Sequence, residues 1–261
     1  MKRNEDTLLK LKGEDETADV LLEGRLTVFQ KERGYRFSID ALLLSHFVRL
    51  RKRSRVVDIG TGSGVIGLVL ACRFPDASIT GIEVQEEVVD MARRSVEANR
   101  LEGRVEIRHG DIREARAMYS PDSFDVAVFN PPYRKLNSGR VNPYRERAIA
   151  RHEIKGSLKD FMEAARILLK DGGIVYAVYP AQRGTELFCQ MRRASLEPKK
   201  LRMVHSHPSS EAEFVLIEGV KRGGEELAVM APLFIYGEGR RYSHEMTQIF
   251  NEIACPDGFA G

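Results

Sequence analysis

The sequence predicts an α/β protein built on one doubly wound, mostly parallel sheet of seven strands, preceded by a short N-terminal extension. Three observations point there. From residue 56 onward, short apolar runs that read as strands alternate with stretches that read as helices. A cluster of glycines follows the first of these strands directly, as a tight strand-to-helix turn requires. No Pro/Gly/Ser-rich linker divides the 261 residues, which favours one α/β domain.

The elements follow in order. Residues 1–20 read as a mobile acidic tail, with Glu14, Asp15, Glu16 and Asp19 clustered. Residues 21–55 form the extension. The alternation in LLEGRLTVFQ suggests a hairpin or edge strand, and Ser38 or Asp40 could cap a helix carrying ALLLSHFVRL. Residues 56–250 hold the main domain, and 251–261 a C-terminal tail. Within the domain, strands are expected at 56–59, 78–83, 104–109, 124–129, 174–179, 201–206 and 213–218. Helices are expected at 65–74, 86–99 and 157–170. Ser157 and Asp160 stand at capping-box spacing, and Gly172-Gly173 fits a helix stop. In such a sheet, ligands bind at the carboxyl ends of the strands.

Composition narrows the class. Hydrophobic residues make up 43% and charged residues 30%, which excludes wholesale disorder. Three cysteines (Cys72, Cys189, Cys255) lie far apart, which argues against a zinc site or a disulfide framework and fits a reducing cytoplasm. No metal is expected. No run of about 18 apolar residues suggests a transmembrane helix, and the charged start lacks the apolar stretch of a signal peptide. The net charge of +3 excludes a polycation but averages opposite regions. Residues 1–23 carry four basic and seven acidic side chains, while 25–55 carry nine and two.

The glycine loop reads Asp58-Ile-Gly60-Thr-Gly62-Ser-Gly64-Val-Ile-Gly67. Glycines there let a ligand approach the backbone, and the following helix offers unpaired N–H groups. Gly62, Gly64 and Gly67 satisfy GxGxxG, a dinucleotide fingerprint that also fits a bare structural turn. Glu83 ends the second strand, 19 residues after Gly64, where an acid can accept hydrogen bonds from ribose hydroxyls. Asp58 ahead of the glycines would repel a pyrophosphate and points to a ligand with a positive centre. Asp111 follows the third strand, where it equally fits a helix N-cap.

The most specific signal is Phe129-Asn130-Pro131-Pro132-Tyr133 after the fourth strand. Two prolines fix φ and remove two donors, so the segment neither continues a strand nor starts a regular helix. A rigid turn can aim the Asn130 amide oxygen and the Pro131 carbonyl at one exocyclic NH₂. A conjugated amine is a poor nucleophile, and two converging acceptors favour its more tetrahedral form in the transition state. Tyr133 offers a ring on which a base can stack.

Asp-x-Gly-x-Gly-x-Gly followed by Glu83 resembles the nucleotide-binding loop of class I S-adenosylmethionine-dependent methyltransferases. The resemblance implies a Rossmann-like fold, with S-adenosyl-L-methionine as cofactor and S-adenosyl-L-homocysteine as product. It implies that Gly60, Gly62 and Gly64 line the methionine moiety, that Glu83 holds the ribose and that Asp111 meets the adenine amino group. The Asn-Pro-Pro-Tyr turn resembles that of amino-methyltransferases acting on adenine N6, cytosine N4, guanine N2 or a glutamine amide. Asn130 there serves both cofactor and acceptor. Over residues 20–250 the chain resembles the bacterial tRNA adenine-N6 methyltransferases that modify the valine-tRNA anticodon loop. Matching stretches are residues 35–44, Asn130 to Tyr133, Ala150-Arg151-His152-Glu153 and Tyr242-Ser243-His244-Glu245-Met246. In related enzymes the first stretch folds over the cofactor, so Phe37, Ser38 and Asp40 are candidate lid contacts.

The insertion 134–155 carries seven basic residues against two acidic ones. Arg134, Lys135, Arg140, Arg145, Arg147 and Arg151 are candidate RNA contacts, since cations beside a base pocket suit a phosphate backbone. A solvated loop is the plainer alternative. The leading expectation is methyl transfer to adenine N6 in RNA, with tRNA as partner and no membrane. A guanine-N2 rRNA enzyme and a release-factor glutamine enzyme share the chemistry. An NAD-binding oxidoreductase fits the glycines but has no use for Asn-Pro-Pro-Tyr, and a non-catalytic RNA-binding module would show no cofactor affinity.

Overall fold

The computed structural model describes residues 10–33, 36–131, 156–237, 239 and 241–254. An antiparallel hairpin comes first, β1 (Glu16–Leu21) with β2 (Leu26–Lys31), followed by helix α1 (Ile39–Phe47). The α/β unit then alternates β3 (Arg55–Ile59), α2 (Val65–Arg73), β4 (Ser78–Glu83), α3 (Glu86–Ala98) and β5 (Val105–His109). A short α4 (Ala115–Met118) leads to β6 (Phe124–Phe129). Beyond residue 155 lie α5 (Leu158–Leu168), β7 (Leu169–Pro180), α6 (Gly184–Arg193), β8 (Leu196–His205) and β9 (Ala212–Lys221). Two two-residue strands, β10 (Ala228–Val229) and β11 (Leu233–Phe234), precede α7 (His244–Ala254).

All seven expected strands form. Their order across the sheet is β8-β9-β7-β6-β3-β4-β5, and β10 and β11 both pair with β8. Pairings from β7 through β5 are parallel, and β9 alone runs against its neighbours. Chain order moves outward from β3 to β5, then returns to place β6 on the other side of β3. In sheets of this topology ligands bind at such a reversal, here at the carboxyl ends of β3 and β6.

The period of two along each strand divides the core. Val56, Val126 and Val128 join one apolar cluster with α1, α2, α3 and α7. Val57, Ile59, Ala127 and Phe129 join the other, with α5 and α6. Strands so buried on both faces read as continuous apolar runs. The expected capping box exists: the Asp160 N–H donates to Ser157 Oγ, and the Ser157 N–H donates to Asp160 Oδ2 at 2.8 Å.

Several expectations shift. The tail expected over 1–20 includes β1, whose Glu16 is buried against Arg94 of α3 in a bidentate pair at 2.7 Å. The inner strand β2 is held on α3 by polar side chains. The Phe29 N–H donates to Ser95 Oγ at 2.9 Å, and the Thr27 N–H to Asn99 Oδ1 at 2.9 Å. The C-terminal tail begins later than residue 251, because α7 runs to Ala254. Gly172-Gly173 do not cap α5. The chain passes straight into β7 at Leu169, and these glycines lie where the β6–β7 register shifts. No helix among the described residues is long and apolar enough to cross a membrane.

Candidate active site

The carboxyl ends of β3, β4 and β6 bring together Asp58, the three loop glycines, Glu83, Asn130 and Pro131. Gly60, Gly62 and Gly64 have φ of +72°, +56° and +80°, so the loop after β3 turns through three left-handed positions. The N–H groups of Gly60 and Thr61 both donate to the Ile82 carbonyl at 2.9 Å, which ties the loop to the end of β4. A Cβ on Gly60 would lie 2.8 Å from the Phe161 ring, whereas one on Gly62 would meet nothing within 4 Å among the described residues. The loop is therefore closed against α5 at Gly60 and open at Gly62.

Two acids face this loop. Asp58 is 1% exposed. Its Oδ2 accepts from Thr61 Oγ1 at 2.6 Å, while its Oδ1 is buried with no hydrogen-bond partner among the described residues. Burial pushes the Asp58 carboxyl up to about 7. Thr61 and the Gly67 N–H oppose that rise, and the charge of Glu83 adds to it. Glu83 is buried too. Its Oε1 accepts from the Val84 and Gln85 N–H groups and from Gln85 Nε2, and its Oε2 accepts from the Gly62 N–H at 3.1 Å. One acceptor position of Oε2 thus remains for a ligand hydroxyl.

Asp111 follows β5, beside this edge. The Gly110 N–H donates to the Glu83 carbonyl at 2.9 Å. The carboxylate takes the capping role: Oδ1 accepts from the Arg113 N–H at 2.9 Å, and the Arg113 guanidinium pairs with both oxygens. That cation holds the Asp111 carboxyl below the usual carboxylate range.

Asn130, half-buried, and Pro131, buried, directly follow β6. They stand next to the loop because β6 pairs with β3, Asp58 opposite Val128. Phe129 packs on Phe161 at 5.6 Å between ring centroids, and Phe161 in turn backs Gly60. One aromatic ring of α5 thus braces both the glycine loop and the base of the Asn-Pro turn. Pro132 and Tyr133 lie outside the described residues, as do Arg134, Lys135, Arg140, Arg145, Arg147 and Arg151.

Phe37, Ser38 and Asp40 precede or open α1. The Phe37 N–H donates to Gln30 Oε1 at 2.8 Å, and Asp40 Oδ1 accepts from Ser38 Oγ at 2.5 Å and from the Ala41 N–H at 2.8 Å. These contacts shape the segment itself and tie it to the hairpin. The basic stretch 49–55 leads into the amino end of β3, on the sheet edge opposite the glycine loop. Its Arg55 N–H donates to Asp125 and its guanidinium covers the Phe124 ring. Upstream, Arg25 donates to the Ala254 carbonyl and Arg36 pairs with Asp19. Much of the positive charge over 25–55 therefore serves the fold.

Sequence reasoning passed over Thr61 and Phe161. Thr61 lies inside the glycine loop, where a hydroxyl three residues after an acid is a readable signal. Phe161 carries no signal of its own, since only the fold brings it to Gly60.

The family model described as Methyltransferase small domain matches residues 38–193. A tRNA1(Val) (adenine(37)-N6)-methyltransferase of Vibrio campbellii is 25% identical over 223 residues, covering 85% of this chain and 90% of that protein. One of the same name from Porphyromonas gingivalis is 34% identical over 164 residues, covering 62% and 64%. The solved structure of a predicted O-methyltransferase from Agrobacterium tumefaciens superposes with a TM-score of 0.68 at 21% identity, covering 82% of this chain and 96% of that one. At that identity the likeness shows the fold.

Proposed function

Because the chain belongs to the Methyltransferase small domain family, it is an S-adenosylmethionine-dependent methyltransferase, and we propose that it methylates the exocyclic N6 of an adenine in tRNA. The observation that carries this reading is the position of Asn130-Pro131. The turn follows β6, the strand paired with β3, and so stands beside the glycine loop. The names of the two relatives support adenine and tRNA.

The residues around the loop fit the donor. A buried carboxylate oxygen without a partner among the described residues, Asp58 Oδ1, suits a ligand that brings positive charge or a donor to it. The open space at Gly62 and the remaining acceptor position of Glu83 suit a ribose. When bound, S-adenosylmethionine supplies a methyl carbon already activated by its sulfonium, so the protein's work is alignment.

Glu83 would hold the ribose, Gly60, Gly62 and Gly64 would line the methionine portion, and Asp58 would face its positive end. Asp111 is the candidate for the adenine amino group, and to serve it would share the oxygens that now take Arg113. Phe37, Ser38 and Asp40, at the opening of α1, would be the residues that cover the site. Asn130 Oδ1 and the Pro131 carbonyl accept from the N6 hydrogens, orient the nitrogen lone pair and favour its pyramidal form. Tyr133 stacks on the base. A loop base suits this pocket because it is cheap to unstack. The cations from Arg134 to Arg151 take phosphates, and a tRNA substrate places the enzyme in the cytoplasm.

The test is transfer of labelled methyl to bulk tRNA, rRNA, DNA and release factor, followed by nucleoside mass spectrometry. Labelled N6-methyladenosine from tRNA is expected. Label confined to guanosine or to protein overturns the reading.

A further inference from the structure

The far end of the catalytic edge carries a ladder of aromatic rings that the chemistry above does not use. β7 runs parallel to β6, β9 runs against β7 and β8 runs against β9, so the carboxyl ends of β8 and β6 share one edge. His207, just past β8, lies 5.4 Å from Tyr236 between ring centroids. Tyr236 stacks on Tyr242 at 5.5 Å with only 13° between the planes, and Phe250 of α7 meets Tyr242 edge-on at 5.0 Å.

This ladder is rigid. The Ile235 and Tyr236 N–H groups donate to the His205 and Ser206 carbonyls at 2.8 and 2.9 Å. The Gly237 N–H donates to the Arg241 carbonyl and the Ser243 N–H to the Ile235 carbonyl, both at 2.9 Å, which locks Tyr236 opposite Tyr242. Yet Tyr242 is 49% exposed, although its ring is fixed on one face and one edge. A large ring held still and left in water is a recognition surface in waiting. Exposed Arg241 adjoins it in sequence and makes no ion pair among the described residues.

We propose that Tyr242, backed by Tyr236 and His207, is a stacking platform for an unpaired RNA base, with Arg241 on the adjoining phosphate. The proposal rests on the RNA reading above. From Phe129 the strand register reaches Ala177, Ile217 and Leu201, three strand spacings or about 14 Å across the sheet. β8 runs on for four residues past Leu201, about 13 Å, to His205, and the ladder begins two residues beyond that end. The base it takes is therefore a neighbour of the target and not the target itself. Stacking alone tolerates any base, so the platform contributes affinity and positioning without reading sequence.

The test measures tRNA affinity by fluorescence anisotropy, KM for tRNA, and S-adenosylmethionine affinity by calorimetry. Tyr242→Ala is expected to weaken tRNA binding and raise KM about 5- to 150-fold while cofactor affinity holds. Tyr242→Phe, which keeps the ring, restores binding to within about twofold. Arg241→Ala lowers the slope of log affinity against log salt by about one. If the wild type methylates tRNA and Tyr242→Ala binds it unchanged, the platform is overturned and the function stands. A wild type that neither binds nor methylates RNA overturns both. If light scattering finds a wild-type dimer that Tyr242→Ala converts to monomer, the rings serve a second copy of the chain, and the RNA platform is likewise overturned.

Discussion

The two halves of the catalytic edge are built on opposite physical terms. At β3 and β4 the working groups are carboxylates taken out of water: Asp58 is 1% exposed and Glu83 2%. The backbone around them is bent through three left-handed glycines. Beyond β7 the groups are aromatic rings packed on one another, with Tyr242 half in solvent. A small cofactor can repay the cost of a buried, partly unsatisfied acid through a few directed bonds. A long flexible nucleic acid is held better by stacking and phosphate contacts spread over a surface. The donor side therefore stores cost in the protein before binding, and the acceptor side stores almost none.

Asp58 gives the largest test of that difference. Its carboxyl, raised to about 7 by burial, takes up a proton on folding between the ordinary carboxylate range and pH 7. The contribution of Asp58 to stability is thus largest below about pH 4, falls as pH rises toward 7, and stays lower above it by about 4 kcal/mol. In the ligand-free protein Asp58→Asn should remove this slope, and urea unfolding at pH 5 and pH 8 will show it. A bound positive centre favours the ionised carboxylate, so cofactor affinity should rise with pH up to about 7, with proton release seen by calorimetry in buffers of different ionisation enthalpy. Affinity that is flat from pH 5.5 to 8 would place the positive end elsewhere. Next in size is Asn130→Ala, which should lower kcat by roughly 10²- to 10³-fold, about 3–4 kcal/mol, with cofactor affinity largely intact. Loss of cofactor affinity in that variant would count against its role at the amine.

The same division explains what the sequence makes legible. Strands buried on both faces announce themselves as apolar runs, and glycines mark a turn that only they adopt, so β3 to β9 and the loop at Gly60 to Gly64 can be read directly. β1 is hidden because Glu-Thr-Ala-Asp-Val-Leu looks like a solvated tail. Glu16 is buried only because Arg94, 78 positions away, meets it. Tyr242 is marked in the sequence only as part of the stretch 242–246, and its place in a ring ladder escapes because His207, Tyr236 and Tyr242 are scattered and the two-residue strand β11 has no period to detect. Phe161 is an ordinary apolar helix position until the fold sets it under Gly60. Chemistry carried by one loop is visible in a single sequence, and chemistry assembled across strands is not.

Within the loop, Gly60 and Gly62 should separate fold from function. Gly60→Ala places a Cβ 2.8 Å from the Phe161 ring at a φ of +72°, so backbone strain and overpacking together should cost about 2–4 kcal/mol in thermal or urea unfolding. Gly62→Ala meets no atom of the described residues within 4 Å at a φ of +56°, so only the strain of about 1–2 kcal/mol applies. Its methyl stands in the open space offered to the ligand, and its main effect should be on cofactor affinity. Equal losses of stability in the two variants would mean that Phe161 does not brace the loop.

The smallest effect belongs to the ring ladder. His207 reaches Tyr236 through a tilted stack, with 32° between the planes, and its backbone N–H is already satisfied by Ser210 Oγ at 3.0 Å. His207→Ala therefore removes one aromatic contact and leaves the turn intact. It should lower stability by only about 0.5–1.5 kcal/mol. Cofactor affinity, set at β3 and β4 on the far side of β6 and β7, should not change. tRNA affinity should fall less than in Tyr242→Ala, because His207 backs the platform from behind while Tyr242 presents its face. A larger fall in His207→Ala than in Tyr242→Ala would reverse that order and make the imidazole the surface that meets the base.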